Sequence, residues 1–144
     1  MPELIPEPGL VIPYAYLWRR EHEAGEESGR KTRPCLVVIV SRSAGAAAPR
    51  VAVAPITTAS PAAERAAVLI PTRVKAHLGL DARPSWVICD EYNAFDWPGV
   101  DRGLTPMGEP AFGFVPDALT ERVREEMRQA RARGALKSTP RSSE

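Results

Sequence analysis

The sequence predicts a mainly β protein with α content (α+β), built as a compact β barrel or a strongly curved sheet with one helix at the C-terminal end. Three observations carry this. Short runs rich in branched and aromatic residues recur between residues 9 and 89, each bounded by glycine, proline or charge. Fifteen prolines among 144 residues, about twice the usual share, disfavour a helical bundle, because proline lacks the N–H that a helix interior requires. One amphipathic stretch near the C-terminus has helical spacing. Periodicity does not separate the closed barrel from the open sheet.

Residues 1–8 contain Pro2, Pro6 and Pro8 and read as an extended arm, ahead of a single domain spanning 9–134. Residues 9–18 (GLVIPYAYLW) read as a strand, and Pro13 places it at an edge or a bulge. Residues 19–32 switch to charge and glycine, the composition of a long mobile loop. Residues 35–40 (CLVVIV) form a continuous apolar run, as in a strand buried on both faces. After a small-residue turn at 43–49, residues 50–56 (RVAVAPI) alternate like a half-buried strand, antiparallel to the one before.

Residues 66–70 make a further short strand, and a helical turn is expected near Val74 and His77, before Gly79. Residues 86–89 (WVIC) resume strand character and lead into Asp90, Glu91, Tyr92 and Asn93. Between 97 and 110 prolines and glycines imply loop with at most one brief strand. A helix then starts near Pro116, with Asp117 at its positive end, and runs to about Arg133. Leu119, Val123, Met127 and Ala130 share one face of it, while Glu121 precedes Arg124 and Glu125 precedes Arg128 at helical spacing. The tail, 135–144, is expected to be disordered, its stretch KSTPRSSE lacking an apolar anchor.

Nineteen basic and eighteen acidic side chains leave a formal charge of +1, so any attraction to nucleic acid must come from local patches. Cys35 and Cys89 lie inside apolar runs without zinc or redox spacing, and buried free thiols are expected. No signal-peptide pattern or membrane-length apolar run is present, which makes a cytoplasmic location and no membrane partner the expectation.

Four landmarks stand in order: Gly9-Leu10-Val11; Arg33-Pro34 leading into CLVVIV after a charged, glycine-containing loop; VAVAPIT at 51–57; and SWVICDEYNAFD, an apolar strand ending in Glu91 and followed by Asp96. In this order, from about Gly9 to Arg133, the chain resembles the MazF/PemK family of type II toxin-antitoxin toxins. The resemblance implies an SH3-like β barrel of the MazF/PemK/CcdB type, a homodimer and a small antitoxin partner. It also implies cleavage of single-stranded RNA that leaves a cyclic phosphate, with no metal and no cofactor. Carried over by position, the catalytic arginine falls on Arg33 and the catalytic threonine on Thr57. Two departures, Leu10 where an acidic residue is common and a longer charged loop before Arg33, keep open a non-catalytic module of the same fold binding protein or nucleic acid. Because the resemblance implies a barrel shared with gyrase-directed toxins, that activity is a further alternative.

RNA cleaves itself when its 2′-hydroxyl is deprotonated, aligned with phosphorus, and the added negative charge is stabilised. Arg33 offers a planar fork of donors that stays charged, which suits charge stabilisation and not proton abstraction near neutrality. Thr57 can donate a hydroxyl to the same phosphate or close a turn, and Thr58 beside it points the other way if the chain stays extended. Glu91 is a base or, more commonly for such a residue, a carboxylate that orients an arginine. Arg19, Arg20, Arg30 and Lys31 form either a phosphate-tracking patch or a solvated loop among Glu21, Glu23, Glu26 and Glu27. Tyr92, Asn93 and Trp97 are candidate RNA contacts, with core, turn or interface packing as the alternative. His22 and His77 would have to converge to act as a pair.

Overall fold

The computed structural model describes residues 3–26 and 31–141. The elements in order are β1 (Leu10–Tyr14), α1 (Arg19–Glu23), β2 (Arg33–Ser41), β3 (Arg50–Thr57), β4 (Ala67–Leu69), α2 (Thr72–Leu78), β5 (Trp86–Ile88), β6 (Glu91–Asp96), β7 (Gly113–Phe114), α3 (Asp117–Ala132) and β8 (Lys137–Pro140). The strands lie in the order β4-β5-β3-β2-β1-β7, with β6 also against β3 and β8 beyond β6. The named strand pairs are antiparallel apart from β6–β8.

β3 sets the curvature. Its residues 50–53 pair with β6, whereas Ile56 and Thr57 pair with β5. Pro55, with no N–H to give, stands where the neighbour changes. The mainly antiparallel sheet therefore parts along β3 and curls into a half-barrel, with α3 as the C-terminal helix packed against it.

Alternating side chains feed two cores. On one face Val11, Leu36, Val38, Ala52, Ala54 and Ile56 pack with Leu119, Val123 and Met127 of α3. On the other, Leu10, Ile12, Tyr14, Cys35, Val37, Val51 and Val53 pack with Phe95 and Trp97. At about 1.5–3 kcal/mol for each large apolar side chain fully buried, the central strands β1, β2 and β3 dominate the driving force. Both faces being covered explains the unbroken run at residues 35–38, all buried. It also corrects the reading of β3 as half-buried, since residues 51–56 are all buried. The small alanines at 52 and 54 lie on the α3 side and had suggested a solvent face.

Pro13 is accommodated inside the sheet without losing a ladder bond. It faces Pro34 across β1 and β2, and its carbonyl turns away to accept from Gly103 N at 2.9 Å. Gly9 opens β1 with φ 96°, and a Cβ there would lie 3.2 Å from Thr120 Oγ1. A glycine is required both by that backbone region and by the close approach of α3.

Two expectations are corrected. The charged segment after β1 opens with the helical turn α1, whose start is capped by Trp18 N donating to Glu21 Oε1 at 3.0 Å. The tail is ordered over its described residues, 135–141, while 142–144 lie outside the described residues: β8 runs parallel to β6, with Asn93 opposite Thr139, and Arg141 is buried. Arg141 donates to the Ala15 carbonyl at 2.8 Å and Asn93 Oδ1 at 3.0 Å, and pairs with Asp101 at 3.0 Å. The tail is thus anchored by Leu136 against the α3-side core, by backbone pairing and by one buried guanidinium. The arm before β1 is also tied to the body, since Trp97 Nε1 donates to the Leu4 carbonyl at 3.2 Å. Among the described residues, no helix is long and apolar enough to cross a membrane.

Candidate active site

Beyond a bulge between Val37 and Ile39, β2 and β3 pair with Cys35 opposite Pro55 and Leu36 opposite Ala54. Continued by two residues, that register sets Arg33, the first residue of β2, across from Thr57, the last of β3. Both line one cavity of about 200 Å³, together with Lys31, Thr32, Thr58, Asp81, Arg83 and Ser85. β5 pairs with the end of β3, Trp86 opposite Thr57. The turn preceding β5 is thereby drawn beside the two threonines.

Three cations, Lys31, Arg33 and Arg83, face this cavity with the carboxylate Asp81. Asp81 is tied to Arg83 at 2.7 Å, and the Arg83 hydrogen bond holds its carboxyl below the usual range. A carboxylate so stabilised is a weak proton acceptor. Arg33 makes no ion pair among the described residues; its guanidinium lies over the Trp18 indole, 5.1 Å from the ring centroid. Its Nε is buried without an acceptor among the described residues. An arginine held by an aromatic face keeps its N–H donors for a ligand.

Thr57 Oγ1 accepts from Ala59 N at 3.1 Å, so the turn-closing role is real. The hydroxyl proton is not used by that bond and remains available as a donor. Thr58 is exposed but still lines the cavity, so the turn brings both threonines to the same place.

Other sequence candidates are placed elsewhere. Glu91 is buried and does not orient Arg33: it accepts from Tyr16 Oη at 3.0 Å and Arg19 N at 2.9 Å, and pairs with Arg65 at 2.9 Å. Asn93, fully buried, bonds both the N–H and the carbonyl of Leu17, so its amide is spent on structure. Trp97 is buried under Arg102 at the end of the sheet where β6 meets Arg50. That end is about 20 Å from Thr57 along β3. Tyr92 lies under α3, beside Met127 and Leu136. Arg19 is engaged with Glu23 and the Ser138 carbonyl. Arg20 and Lys31 do stand near Arg33, lining with it a second cavity of about 190 Å³ that also includes Tyr16, Trp18 and Glu21. Arg30 falls outside the described residues. His22 and His77 do not converge: one is on α1, the other borders the groove between α2 and α3. Among the described residues, no three His, Cys, Asp or Glu side chains gather as a metal site.

A family model described as PemK-like, MazF-like toxin of type II toxin-antitoxin systems matches residues 16–130. The chain belongs to this family. The match spans Arg33, Thr57 and nearly all of α3, while β1 and β8 lie outside it. Membership in a type II toxin family implies an antitoxin protein as partner. No match was found among curated proteins or among solved structures.

Sequence reasoning missed Asp81, Arg83 and Ser85 in this PemK-like chain. They sit in a turn whose position depends on β5 pairing with the end of β3, a long-range contact that local pattern does not report. Trp86, which opens the WVIC run, is half-buried beside Thr57. Trp18, just before α1, carries Arg33.

Proposed function

We propose that this toxin is an endoribonuclease that cleaves single-stranded RNA without a metal ion. The observation that carries the reading is the convergence of Arg33 and Thr57 on one cationic cavity, with Arg33 unpaired by any carboxylate of the described residues. In the reaction, the ribose 2′-oxygen attacks the neighbouring phosphorus and the bond to the 5′-oxygen breaks, giving a cyclic phosphate and a free hydroxyl. Arg33 stabilises the charge that builds on the phosphoryl oxygens, and Thr57 donates a further hydrogen bond to them. Such preorganised donors act where water is partly excluded and are worth more there than in bulk solvent.

The family resemblance supports a homodimer. The exposed side chains of Leu69 and Phe114 beside the groove between α2 and α3 offer a partner apolar surface. Incubating the purified protein with mixed RNA in EDTA tests the activity. Cleavage that is lost in both Arg33→Ala and Thr57→Ala supports it; cleavage indifferent to both, or none by the wild type, refutes it.

A further inference from the structure

Arg33 belongs to two cavities at once. Beyond the cavity it shares with Thr57 lies the one walled by Tyr16, Trp18, Arg20, Glu21 and Lys31, and Lys31 also borders both. In this second cavity two guanidinium groups lie over one indole: Arg33 at 5.1 Å and Arg20 at 4.8 Å from the Trp18 ring centroid. Like charges gathered about one ring repel each other, and an anion in the cavity that both line relieves that repulsion. Trp18 is itself only 6% exposed and edge-packed on Tyr16 at 5.1 Å, so it is a fixed support and not a free platform for a base. Its Nε1 is buried and has no acceptor among the described residues. Glu21, the carboxylate on this wall, directs Oε1 to the Trp18 backbone N–H at 3.0 Å.

We infer that the Trp18 cavity is a second phosphate subsite, taking the phosphate next along a single-stranded RNA to the one held at Arg33. Arg20 and Lys31 contact that phosphate, and Trp18 positions Arg33 and Arg20 on either subsite. The inference rests on the ribonuclease reading for its substrate, but its test does not need cleavage.

The test is anisotropy titration of a short, labelled 2′-O-methyl single-stranded RNA, which cannot form the cyclic phosphate, over a range of salt concentrations. Arg20→Ala weakens binding and flattens the slope of log affinity against log salt by about 0.7, the loss of one phosphate contact on a single strand. Trp18→Leu weakens binding further, and Trp18→Phe, which keeps an aromatic face, restores most of it. On a cleavable RNA, Arg20→Ala acts more on KM than on kcat, whereas Trp18→Leu lowers both. An unchanged salt slope in Arg20→Ala overturns the subsite. So does equal weakening by Trp18→Phe and Trp18→Leu at unchanged thermal stability. If Trp18→Leu does not fold, the exposed Arg20 still gives the decisive result. A wild type that binds with an Arg20-dependent slope but cleaves nothing refutes the ribonuclease reading and leaves the subsite standing. An active wild type whose slope ignores Arg20 does the reverse.

Discussion

Arg33, the first residue of β2, and Thr57, the last of β3, lie two residues beyond the Cys35–Pro55 pair, and both line the same small cavity. Two central strands buried on both faces hold this juxtaposition, so the pair sits on a rigid edge of the sheet and not on a free loop. A catalytic fork needs that rigidity, because misplacement by an ångström costs orders of magnitude in rate.

Replacing Arg33 separates charge from geometry. Arg33→Ala is expected to lower the rate of RNA cleavage by about 10²–10³-fold, the cost of removing one preorganised donor set. Arg33→Lys restores little, since an ammonium keeps the charge but neither the two-point fork nor the stack on Trp18. Single-turnover cleavage of a labelled RNA measures both.

Thr57→Val keeps the branched shape and removes the hydroxyl. Both the Ala59 turn bond and the donor to phosphate go with it, and a loss of about tenfold in cleavage is expected, as for one hydrogen bond to a charged group. Thr57→Ser should return near wild-type rates. Equal rates in the valine variant would assign Thr57 to the turn alone.

Glu91 and Arg141 are expected to act on stability. Glu91→Gln loses the charge paired with Arg65, at about 1–3 kcal/mol. Arg141→Ala strands Asp101 and the acceptors on Asn93 and Ala15, at about 3–5 kcal/mol. Urea denaturation should show both. A fully stable Arg141→Ala protein would mean that β8 is dispensable.

Alkaline pH should destabilise the fold. Burial pushes the Cys89 thiol up from 9.0 to about 12, and burial likewise raises the Cys35 thiol and the Tyr14 and Tyr16 hydroxyls. These groups keep their protons in the folded chain and lose them more easily when unfolded. Their contribution is therefore intact below about pH 9 and is lost as pH climbs toward 12, at about 1.4 kcal/mol per pH unit for each group in its window. Melting temperature against pH measures this, and native Cys35 and Cys89 should resist thiol reagents at pH 8 until the protein is unfolded.

The central strands and α3 were legible because their patterns are local. CLVVIV has no polar position to expose, and Leu119, Val123, Met127 and Ala130 repeat at helical spacing. Arg33 and Thr57 were legible through their order in a recognised set of landmarks, and the strand pairing gave that order a geometry. β8 was not legible, because what anchors it is backbone pairing to β6 and one buried arginine, neither of which leaves an apolar signature. Glu91 was read toward Arg33, yet Arg65, which sits just before β4, reaches it first; only the fold brings those two together. Tyr92, Asn93 and Trp97 follow Glu91 closely in sequence but run away from the site along β6.

The most direct measurement is the end-group chemistry of a defined single-stranded RNA after incubation in EDTA, read by mass spectrometry for wild type and Arg33→Ala. A cyclic phosphate on the upstream fragment and a free 5′-hydroxyl on the downstream one, present with wild type and absent with Arg33→Ala, is the predicted result. Intact RNA with the wild type, or the same products from both proteins, would contradict it.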